Sequence, residues 1–340
     1  MIGQQKRLLL ALVVVALVGA CAPSASVQPT PDPVTLRVVL LPYLSMAPLF
    51  IGLEEGYFTE QGLTIEAVEL GLSSQAVPAL AQGDIDVIPG SLYVGQLNAM
   101  AQGTTIRYVA DNSHFAADAC SQFTLLVRRA LTEGDTLQSL AQLRGRPFSV
   151  NPLTFTGYVA EKMVQREGLL LEDFELVSIS SAAELDALAK GSLDLAPAGE
   201  PWVTRIVEAG HAVPWVGAQE VLPDAQYAMI LYGPTLLEQN PAAGRRFMVA
   251  YLQAVRQYNQ GKTERNVEIL AKHTGLDAEL LQEACWPSVR SDGQINLHSV
   301  LAFQDWALQK GYLDSPAAAE QMWDPSFVEY ASQRLAGSAD

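Results

Sequence analysis

Residues 79–87, ALAQGDIDV, and residues 188–194, LAKGSLD, share one pattern: the end of a helix, a glycine, and the approach to a short apolar strand. Gly83 and Gly191 each follow a helix-forming stretch and have the residue type that most often ends a helix. Predicted strands and helices alternate in this way throughout residues 36–231. Alternation at this spacing is typical of parallel α/β units, so the repeated stretch predicts the fold class.

The apolar runs give a more detailed prediction along the chain. After residue 235 the pattern becomes helical and continues so to residue 335. Strands are predicted at residues 36–41, 64–70, 85–88, 105–110, 123–127, 147–150, 175–179, 193–196, 212–216 and 226–231.

Four stretches together resemble the solute-binding proteins of the thiamine-precursor, nitrate and sulfonate type. Residues 43–58, YLSMAPLFIGLEEGYF, followed by Gly62-Leu63, are similar to the opening helix and turn of that family. The two glycine-stopped stretches resemble its helix–glycine–strand pattern, and residues 291–296, SDGQIN, resemble one of its late turns. The resemblance covers residues 34–314 and depends on the order of the four stretches.

The resemblance implies an α/β chain with the periplasmic-binding-protein type II fold: two lobes, each a doubly wound sheet, and a helical C-terminal extension. Lobe 1 is expected to be discontinuous, with residues 34–128 and 227–340, and lobe 2 to contain residues 129–226. Two crossovers between the lobes would form a hinge. Because ligands of such sheets bind beyond the carboxyl ends of the strands, the ligand is expected in the cleft between the lobes.

The N-terminal residues predict export. Lys6 and Arg7 precede an apolar run that ends at Ala20, and residues 1–20 thus have the basic and apolar regions of a secretory signal. This run is shorter than the about 20 residues that span a bilayer. No later segment is apolar for long enough to span one either.

The end of the signal resembles the lipobox of bacterial lipoproteins. Val18-Gly19-Ala20 stands directly before Cys21, which implies that Cys21 carries diacyl lipid, palmitate among it, and becomes the mature N-terminus. An ordinary secretory signal is the alternative. Residues 21–33 are rich in Pro, Ser and Thr and read as a flexible tether. The protein is expected at the extracytoplasmic face of the cell membrane, held by its lipid.

The charge of the mature chain excludes two classes of partner. The whole chain has 21 basic and 37 acidic residues; the signal removes two of the basic ones, so the formal charge falls from −16 to −18. Such a body repels nucleic acid and anionic lipid surfaces. Cys120 and Cys285 could form a disulfide in an oxidising compartment or remain two separate thiols.

Side chains that follow the predicted strands of lobe 1 are candidates for ligand contact. They are Tyr43 after the first strand, Ser73 and Ser74 after the second, Ser91 after the third, and Asn112 after the fourth. Tyr43 would offer an aromatic face, or would pack on Pro42. Ser73 and Ser74 would bind a polar group of the ligand, cap the following helix, or do both.

In lobe 2 the candidates lie after two further strands. Asn151, Thr154, Thr156 and Tyr158 open one helix, and Glu200 and Trp202 open another. Relatives of the nitrate and sulfonate type hold their anion with small polar residues at the first of these places, whereas Phe155 and Tyr158 here favour a flat apolar ligand. Glu200 would repel an anion and would accept hydrogen bonds from imide, amine or hydroxyl groups. The alternative is that Glu200 caps the helix that begins at Pro201.

These features predict the capture of an aromatic heterocyclic vitamin, without a cofactor, and its delivery to the permease of a membrane importer. Within the family the chain looks most like the riboflavin-binding members, and riboflavin is favoured because aromatic rings could stack on its tricyclic ring. A thiamine pyrimidine precursor and a sulfonate or nitrate anion are the alternatives. The protein is expected to act as a monomer.

Two readings of other classes remain. The first is an enzyme: a pyrimidine synthase of thiamine biosynthesis shares the implied fold and resembles this family. It differs because it uses an active-site His and a cysteine-rich iron-binding motif. The four histidines of this chain lack paired metal spacing, and no phosphate loop or G-x-S-x-G element occurs. A ligand sensor at the membrane is the second reading. No metal site is expected in this chain.

Overall fold

The computed structural model describes residues 33–69 and 76–337. The predicted signal, the lipidation site Cys21 and almost all of the tether therefore lie outside the described residues, as do Ser73 and Ser74. Within the described part, no helix has both the length and the apolar character that crossing a membrane requires.

Two five-stranded sheets organise the described residues. The strands are β1 (Val34–Val39), β2 (Leu63–Val68), β3 (Val87–Ser91), β4 (Arg107–His114), β5 (Phe123–Arg128), β6 (Pro147–Ser149), β7 (Glu175–Val177), β8 (Leu195–Gly199), β9 (Ala212–Gly217) and β10 (Gln226–Tyr232). The first sheet has the order β2-β1-β3-β10-β4 and the second the order β7-β6-β8-β5-β9. The prediction of a two-sheet α/β fold is confirmed.

Each sheet is parallel except for the strands that arrive from the other sheet. In the first sheet β1 pairs in parallel with β2 and β3, and β10 is antiparallel to β3 and β4. In the second sheet β6 pairs in parallel with β7 and β8, and β5 is antiparallel to β8 and β9. The carboxyl ends of the parallel strands therefore share one edge in each sheet.

The helices follow the predicted alternation and then fill the C-terminal part. They are α1 (Ala47–Glu54), α2 (Tyr57–Glu60), α3 (Val77–Gln82), α4 (Val94–Ala101), α5 (Phe155–Gln165), α6 (Ser181–Lys190), α7 (Trp202–Glu208), α8 (Ala218–Val221), α9 (Pro241–Tyr258), α10 (Glu264–Thr274), α11 (Ala278–Glu283), α12 (Leu297–Gln309), α13 (Ala319–Met322) and α14 (Ser326–Ala336). A π-helical turn, Thr235–Gln239, precedes α9.

Helix α9 forms the centre of the core beneath the first sheet. It begins where the Asn240 side chain accepts a hydrogen bond from the Ala243 backbone and where Pro241 takes a position that needs no N–H donor. Its Phe247 and Tyr251 are fully buried, in one apolar cluster with residues of β1, α1 and α14. This cluster fixes the C-terminal helices against the first sheet.

Two crossovers connect the sheets side by side. The chain leaves the first sheet through residues 115–122 and returns to it through residues 218–225. The backbone of Phe115 donates to Ala225 O over 2.9 Å, and Asp224 N donates to Phe115 O over 2.7 Å. Adjacent, hydrogen-bonded crossovers are the place at which two lobes can rotate relative to each other.

The position of β5 differs from the expected lobe bounds. Residues 123–128 were expected at the end of lobe 1, but they pair with β8 and β9 in the second sheet. An apolar run looks the same in the sequence whichever sheet it joins. Only the hydrogen bonds between strands show that residues 123–128 belong to the second sheet. We therefore place the lobe boundary within the two crossovers, near residues 115–122 and 218–225, as a proposal.

A disulfide links Cys120 in the first crossover to Cys285, beyond α11. This pairing was one of two alternatives that the sequence left open. It ties the crossover to the C-terminal helical segment across 165 residues of chain.

Candidate functional site

A cavity of about 310 Å³ lies at the facing strand ends of the two sheets. The first sheet contributes residues that follow β1 and residues at the end of β3, and the second contributes residues at and beyond the ends of β6, β7 and β8. The starts of the antiparallel strands β5 and β10 complete the wall. Ligands of open α/β sheets bind beyond the carboxyl ends of the parallel strands, which we call the strand-end rule, and the cavity lies at this place.

Six of the residues expected to contact a ligand line this cavity. They are Tyr43, Ser91, Asn151, Thr156, Glu200 and Trp202. The cavity thus combines candidates from both sheets, although these residues are far apart in the chain.

Asn112 lies away from the cavity, because β4 continues to His114 and does not end at residue 110. Its side chain is fully buried, and its Oδ1 accepts a hydrogen bond from the Tyr251 hydroxyl over 3.0 Å. The polar stretch expected to follow the strand is therefore part of it and packs onto α9. We remove Asn112 from the proposed ligand contacts.

Thr154 and Tyr158 also lie outside the cavity lining. The Thr154 hydroxyl accepts from Gly157 N and so caps α5, and it also donates to Asn151 O over 2.7 Å. Tyr158 is buried against Phe303 and Trp306 of α12, with ring centroids 5.7 and 5.2 Å away. Helix α12 covers the face of α5 that carries Tyr158, a packing that the local sequence pattern does not indicate.

Aromatic rings form much of the apolar wall. Tyr43 is 40% exposed, and Trp202 lies half-buried with the Arg205 guanidinium over its ring. Tyr227 stacks on Phe115 at 5.2 Å and contacts Phe123 at 5.9 Å. Burial raises the pKa of Tyr227 to about 12, so its hydroxyl is neutral and can donate a hydrogen bond at physiological pH.

Glu200 has partners for both of its carboxylate oxygens. Oε1 accepts from Cys285 N and from the Thr204 hydroxyl, each over 3.0 Å, and Oε2 accepts from Thr204 N over 3.2 Å. Burial raises the pKa of this carboxyl, and these hydrogen bonds partly oppose the increase. Glu200 therefore caps the first turn of α7 and ties it to the disulfide-bonded Cys285, while it also lines the cavity.

Glu184 is a second carboxylate in the lining and was not among the residues predicted from the sequence. It lies on the first turn of α6, is 5% exposed, and its Oε1 accepts from the Ser149 hydroxyl over 2.6 Å. The N-cap of this helix is Ser180, whose hydroxyl accepts from Ala183 N, so Glu184 is not part of the cap. The strand-end rule missed Glu184, because it points to the cavity from within a helix.

The polar lining contains hydroxyls and carboxylates but no basic side chain. Hydroxyls come from Ser45, Ser91, Ser149, Thr156, Ser178 and Ser181. Among the described lining residues none is Lys, Arg or His, and nowhere in the described chain do three or more His, Cys, Asp or Glu side chains form a group that could hold a metal ion. The cavity therefore suits hydrogen-bond donors better than anions.

Burial of Glu184 makes the stability of the protein depend on pH. Burial raises the pKa of its carboxyl from 4.5 to about 7, and the hydrogen bond from the Ser149 hydroxyl only partly opposes this increase. Since the folded state holds this proton more tightly than the unfolded state, stability falls as pH rises from 4.5 through 7. Asp186 and Lys190 on the same helix pair with each other, Arg205 on the adjacent α7 lies over Trp202, and Glu200 is hydrogen-bonded as described.

We expect Glu184→Gln to remove this pH dependence. Between pH 5 and pH 8, the variant should gain about 2–3 kcal/mol in unfolding free energy relative to the wild type, because a shift of one pKa unit corresponds to about 1.4 kcal/mol. Urea titrations at both pH values measure the gain. Glu175→Gln, at an exposed position of β7, is the matched control and should show no such gain; an equal gain in both variants would contradict the assignment.

Several solved structures of low sequence identity share this fold. The ligand-binding component of an ABC-type import system from Staphylococcus aureus is 17% identical, has a TM-score of 0.73, and covers 88% of this chain and 99% of its own. The alkanesulfonate-binding protein of Xanthomonas axonopodis pv. citri, bound to MOPS, is 19% identical with a TM-score of 0.69, covering 86% and 99%. A desulfurization enzyme in complex with biphenyl-2-sulfinic acid is 16% identical with a TM-score of 0.64, covering 88% and 99%.

Sequence relatives give the family. A protein of Brucella abortus, which its name describes provisionally as a binding protein, is 23% identical over 254 residues, or 74% of this chain and 75% of the Brucella protein. The sequence profile of the NMT1-like family matches residues 29–275, well over half of the chain. This chain belongs to the NMT1-like family.

Proposed function

We propose that this protein is the substrate-binding component of a membrane importer and that it captures an aromatic heterocycle with polar substituents, with riboflavin as the first candidate. The observation that carries the proposal is the composition of the cavity wall: Tyr43, Trp202 and Tyr227 beside a ring of hydroxyls and two carboxylates. Each aromatic face contributes about 0.5–1.5 kcal/mol beyond its buried area. Hydroxyls and carboxylates would supply the directional contacts.

The size of the cavity sets a limit on the ligand. Small-molecule sites have volumes of about 300–1,000 Å³, and about 310 Å³ is at the lower end of that range. A single-ring pyrimidine would fit with room to spare, and riboflavin would have to fill the cavity and extend toward its mouth. A thiamine pyrimidine precursor is therefore the second candidate ligand.

An anion fits this wall less well. The alkanesulfonate-binding protein shares the fold, but Glu184 and Glu200 here place two carboxyl groups at the cavity. A sulfonate or nitrate would find no basic partner among the described lining residues. The carboxyls of Glu184 and Glu200 would repel it whenever they are ionised, which costs free energy in a poorly solvated site.

The enzyme reading is weaker than the binding reading. A desulfurization enzyme shares the fold, so the fold alone leaves both functions open. The described lining contains no Cys, His or Lys that could act as a nucleophile or a base. Cys120 and Cys285 are joined in a disulfide.

Capture and delivery would follow from the two-sheet architecture. A ligand that contacts both sheets favours the closed arrangement about the paired crossovers, and the closed protein would dock on the permease. The proposal includes export by the signal of residues 1–20 and lipid attachment at Cys21, which the sequence pattern supports. The lipid would hold the protein near its permease at the outer face of the membrane.

A thermal-shift panel with riboflavin, 4-amino-5-hydroxymethyl-2-methylpyrimidine, taurine and nitrate tests the proposal. A ligand present at 100 times its Kd stabilises the folded state by about 2.7 kcal/mol. We expect one of the two heterocycles to raise Tm, and riboflavin fluorescence to be quenched if riboflavin is that ligand. Stabilisation by taurine or nitrate alone would overturn the proposal.

Trp202→Ala should weaken binding of the heterocycle by about tenfold or more. The variant loses an aromatic face at the cavity wall, and about 1.4 kcal/mol corresponds to tenfold in affinity. Isothermal titration measures the change. Tyr330→Ala is the control, because Tyr330 is an exposed aromatic residue on α14 outside the lining; equal affinity in both variants would remove Trp202 from the site.

A further inference from the structure

Glu184 has a free hydrogen-bond acceptor in a place where free acceptors are rare. Its Oε1 is bound by Ser149, but its Oε2 has no hydrogen-bond partner within residues 33–69 and 76–337. The side chain is 5% exposed and lines the cavity. Since most buried polar atoms in native proteins are paired, an unpaired carboxylate oxygen at a cavity wall indicates a partner that binds there.

The two carboxylates of the cavity have different tasks. Every oxygen of Glu200 is engaged by Thr204 or Cys285, so this residue shapes the wall with little capacity left for a ligand. Glu184 has one oxygen fixed by Ser149, which is itself 2% exposed, and one oxygen available. The Ser149 hydroxyl fixes the orientation of the carboxylate and so limits the direction from which a donor can approach.

The surroundings of Glu184 select the type of partner. The nearby lining residues of the second sheet are Ser149, Ser178 and Ser181, and no described lining residue carries a positive charge. A carboxylate oxygen accepts hydrogen bonds and donates none when ionised. For the ionised form the missing partner is therefore a donor on the ligand, and no basic side chain of the described lining competes for the carboxylate.

We propose that Glu184 determines the specificity of this site by accepting, at Oε2, a hydrogen bond from an N–H group of the ligand: the imide or amino group of an aromatic heterocycle. This inference rests on the proposed function that the cavity binds such a heterocycle. A ligand whose corresponding position carries a methyl group or a carbonyl oxygen would leave the acceptor buried and unpaired. Sites of this kind reject analogues that lack the donor much more strongly than apolar pockets reject a missing methylene.

The raised pKa of Glu184 agrees with this assignment. Burial brings its pKa to about 7, and no positively charged neighbour opposes this increase. An N–H donor stabilises the ionised form directly. Perturbed carboxyls of this kind concentrate at functional sites.

Paired probes test the inference without any variant. Riboflavin is compared with N3-methylriboflavin, and 4-amino-5-hydroxymethyl-2-methylpyrimidine with its 4-deamino analogue, by isothermal titration against the purified protein. We expect the probe that has the N–H group to bind at least tenfold more tightly than its partner. Equal affinities within each pair that binds would overturn the inference and leave the proposed function standing.

Variants then assign the effect to Glu184. Glu184→Met removes both acceptors at similar length and should cost at least tenfold in affinity for the N–H probe, while the difference between the paired probes shrinks. Glu184→Gln keeps a neutral acceptor and should fall between the wild type and the Met variant. Glu175→Met is the matched control and should bind like the wild type, because Glu175 lies on β7, is exposed and is outside the lining.

The outcomes separate the two proposals. If a heterocycle binds the wild type and Glu184→Met binds it within twofold, with both proteins folded by circular dichroism, the inference fails alone. If no heterocycle binds the wild type, the proposed function fails and the inference falls with it. If Glu184→Met and Glu175→Met lose affinity for the heterocycle equally, Glu184 has no specific role in binding it.

Discussion

Replacement of both Cys120 and Cys285 by serine is expected to lower the free energy of unfolding by about 2–5 kcal/mol. The bridge closes a loop across 165 residues, and a long closed loop restricts the unfolded chain more than a short one. The chain-entropy relation gives an upper value of about 5 kcal/mol for a loop of this size. Chemical denaturation of the double variant and the wild type at one pH measures the difference.

The wild type in a reducing agent provides the control for this experiment. Reduction should bring the wild type to the stability of the double variant and should leave the variant itself unchanged. Unchanged stability in the double variant would show that the C-terminal segment is held to the first crossover by packing alone. The same comparison shows whether the cavity depends on the bridge, because Cys285 N donates to Glu200 over 3.0 Å.

The fold could be predicted largely because the glycines that end its helices adopt a backbone conformation that other residues disfavour. Gly83 and Gly191 both have φ near +75°, at 79° and 75°, a conformation that side chains with a Cβ disfavour at the end of a helix. Each glycine ends its helix at the expected residue. The spacing of apolar runs then assigned the alternation of strands and helices, which depends only on local sequence.

Strand limits were predicted less well, because long-range contacts set them. The strand expected at residues 85–88 begins at Val87, after Asp86, whose carboxylate binds the Arg37 backbone and guanidinium at 2.7–3.2 Å. Strand β4 extends to His114 through polar residues. An apolar pattern cannot show that a polar residue has buried partners on distant elements.

The candidate site was predicted only in part, because long-range contacts also decide which side chains reach the cavity. The strand-end rule identified residues in the lining wherever the side chain followed a strand directly, as with Tyr43 and Trp202. It misplaced Tyr158 because α12, more than 130 residues later, packs on α5. Glu184 was not among the predicted residues because it lies within a helix, and its unpaired oxygen is visible only in three dimensions.

Asp111 links three parts of the chain that the sequence shows as unrelated. It is fully buried on β4, and its carboxylate accepts from Gln226 Nε2 over 2.6 Å and from Arg290 N over 2.7 Å. His114 Nδ1 lies 3.1 Å from the same carboxylate. The backbone N of Asp111 donates to Gly293 O in the Ser291–Asn296 turn. Asp111 therefore holds both β10 and this late turn against β4.

Asp111→Ala is therefore expected to destabilise the protein by about 3–5 kcal/mol. Removal of the carboxylate leaves the Arg290 backbone N–H without its acceptor and takes one of three acceptors from the Gln226 amide. The loss of one partner from a buried charged network is costly. Urea denaturation at neutral pH measures the change, with Asp118→Ala as the control because Asp118 is exposed and surface substitutions usually change stability by about 0.5 kcal/mol or less. Asp111→Asn keeps one acceptor and should lie between the two. If Asp111→Ala costs no more than Asp118→Ala, the buried network contributes nothing, and the apolar cluster around α9 alone must hold the C-terminal helices on the first sheet.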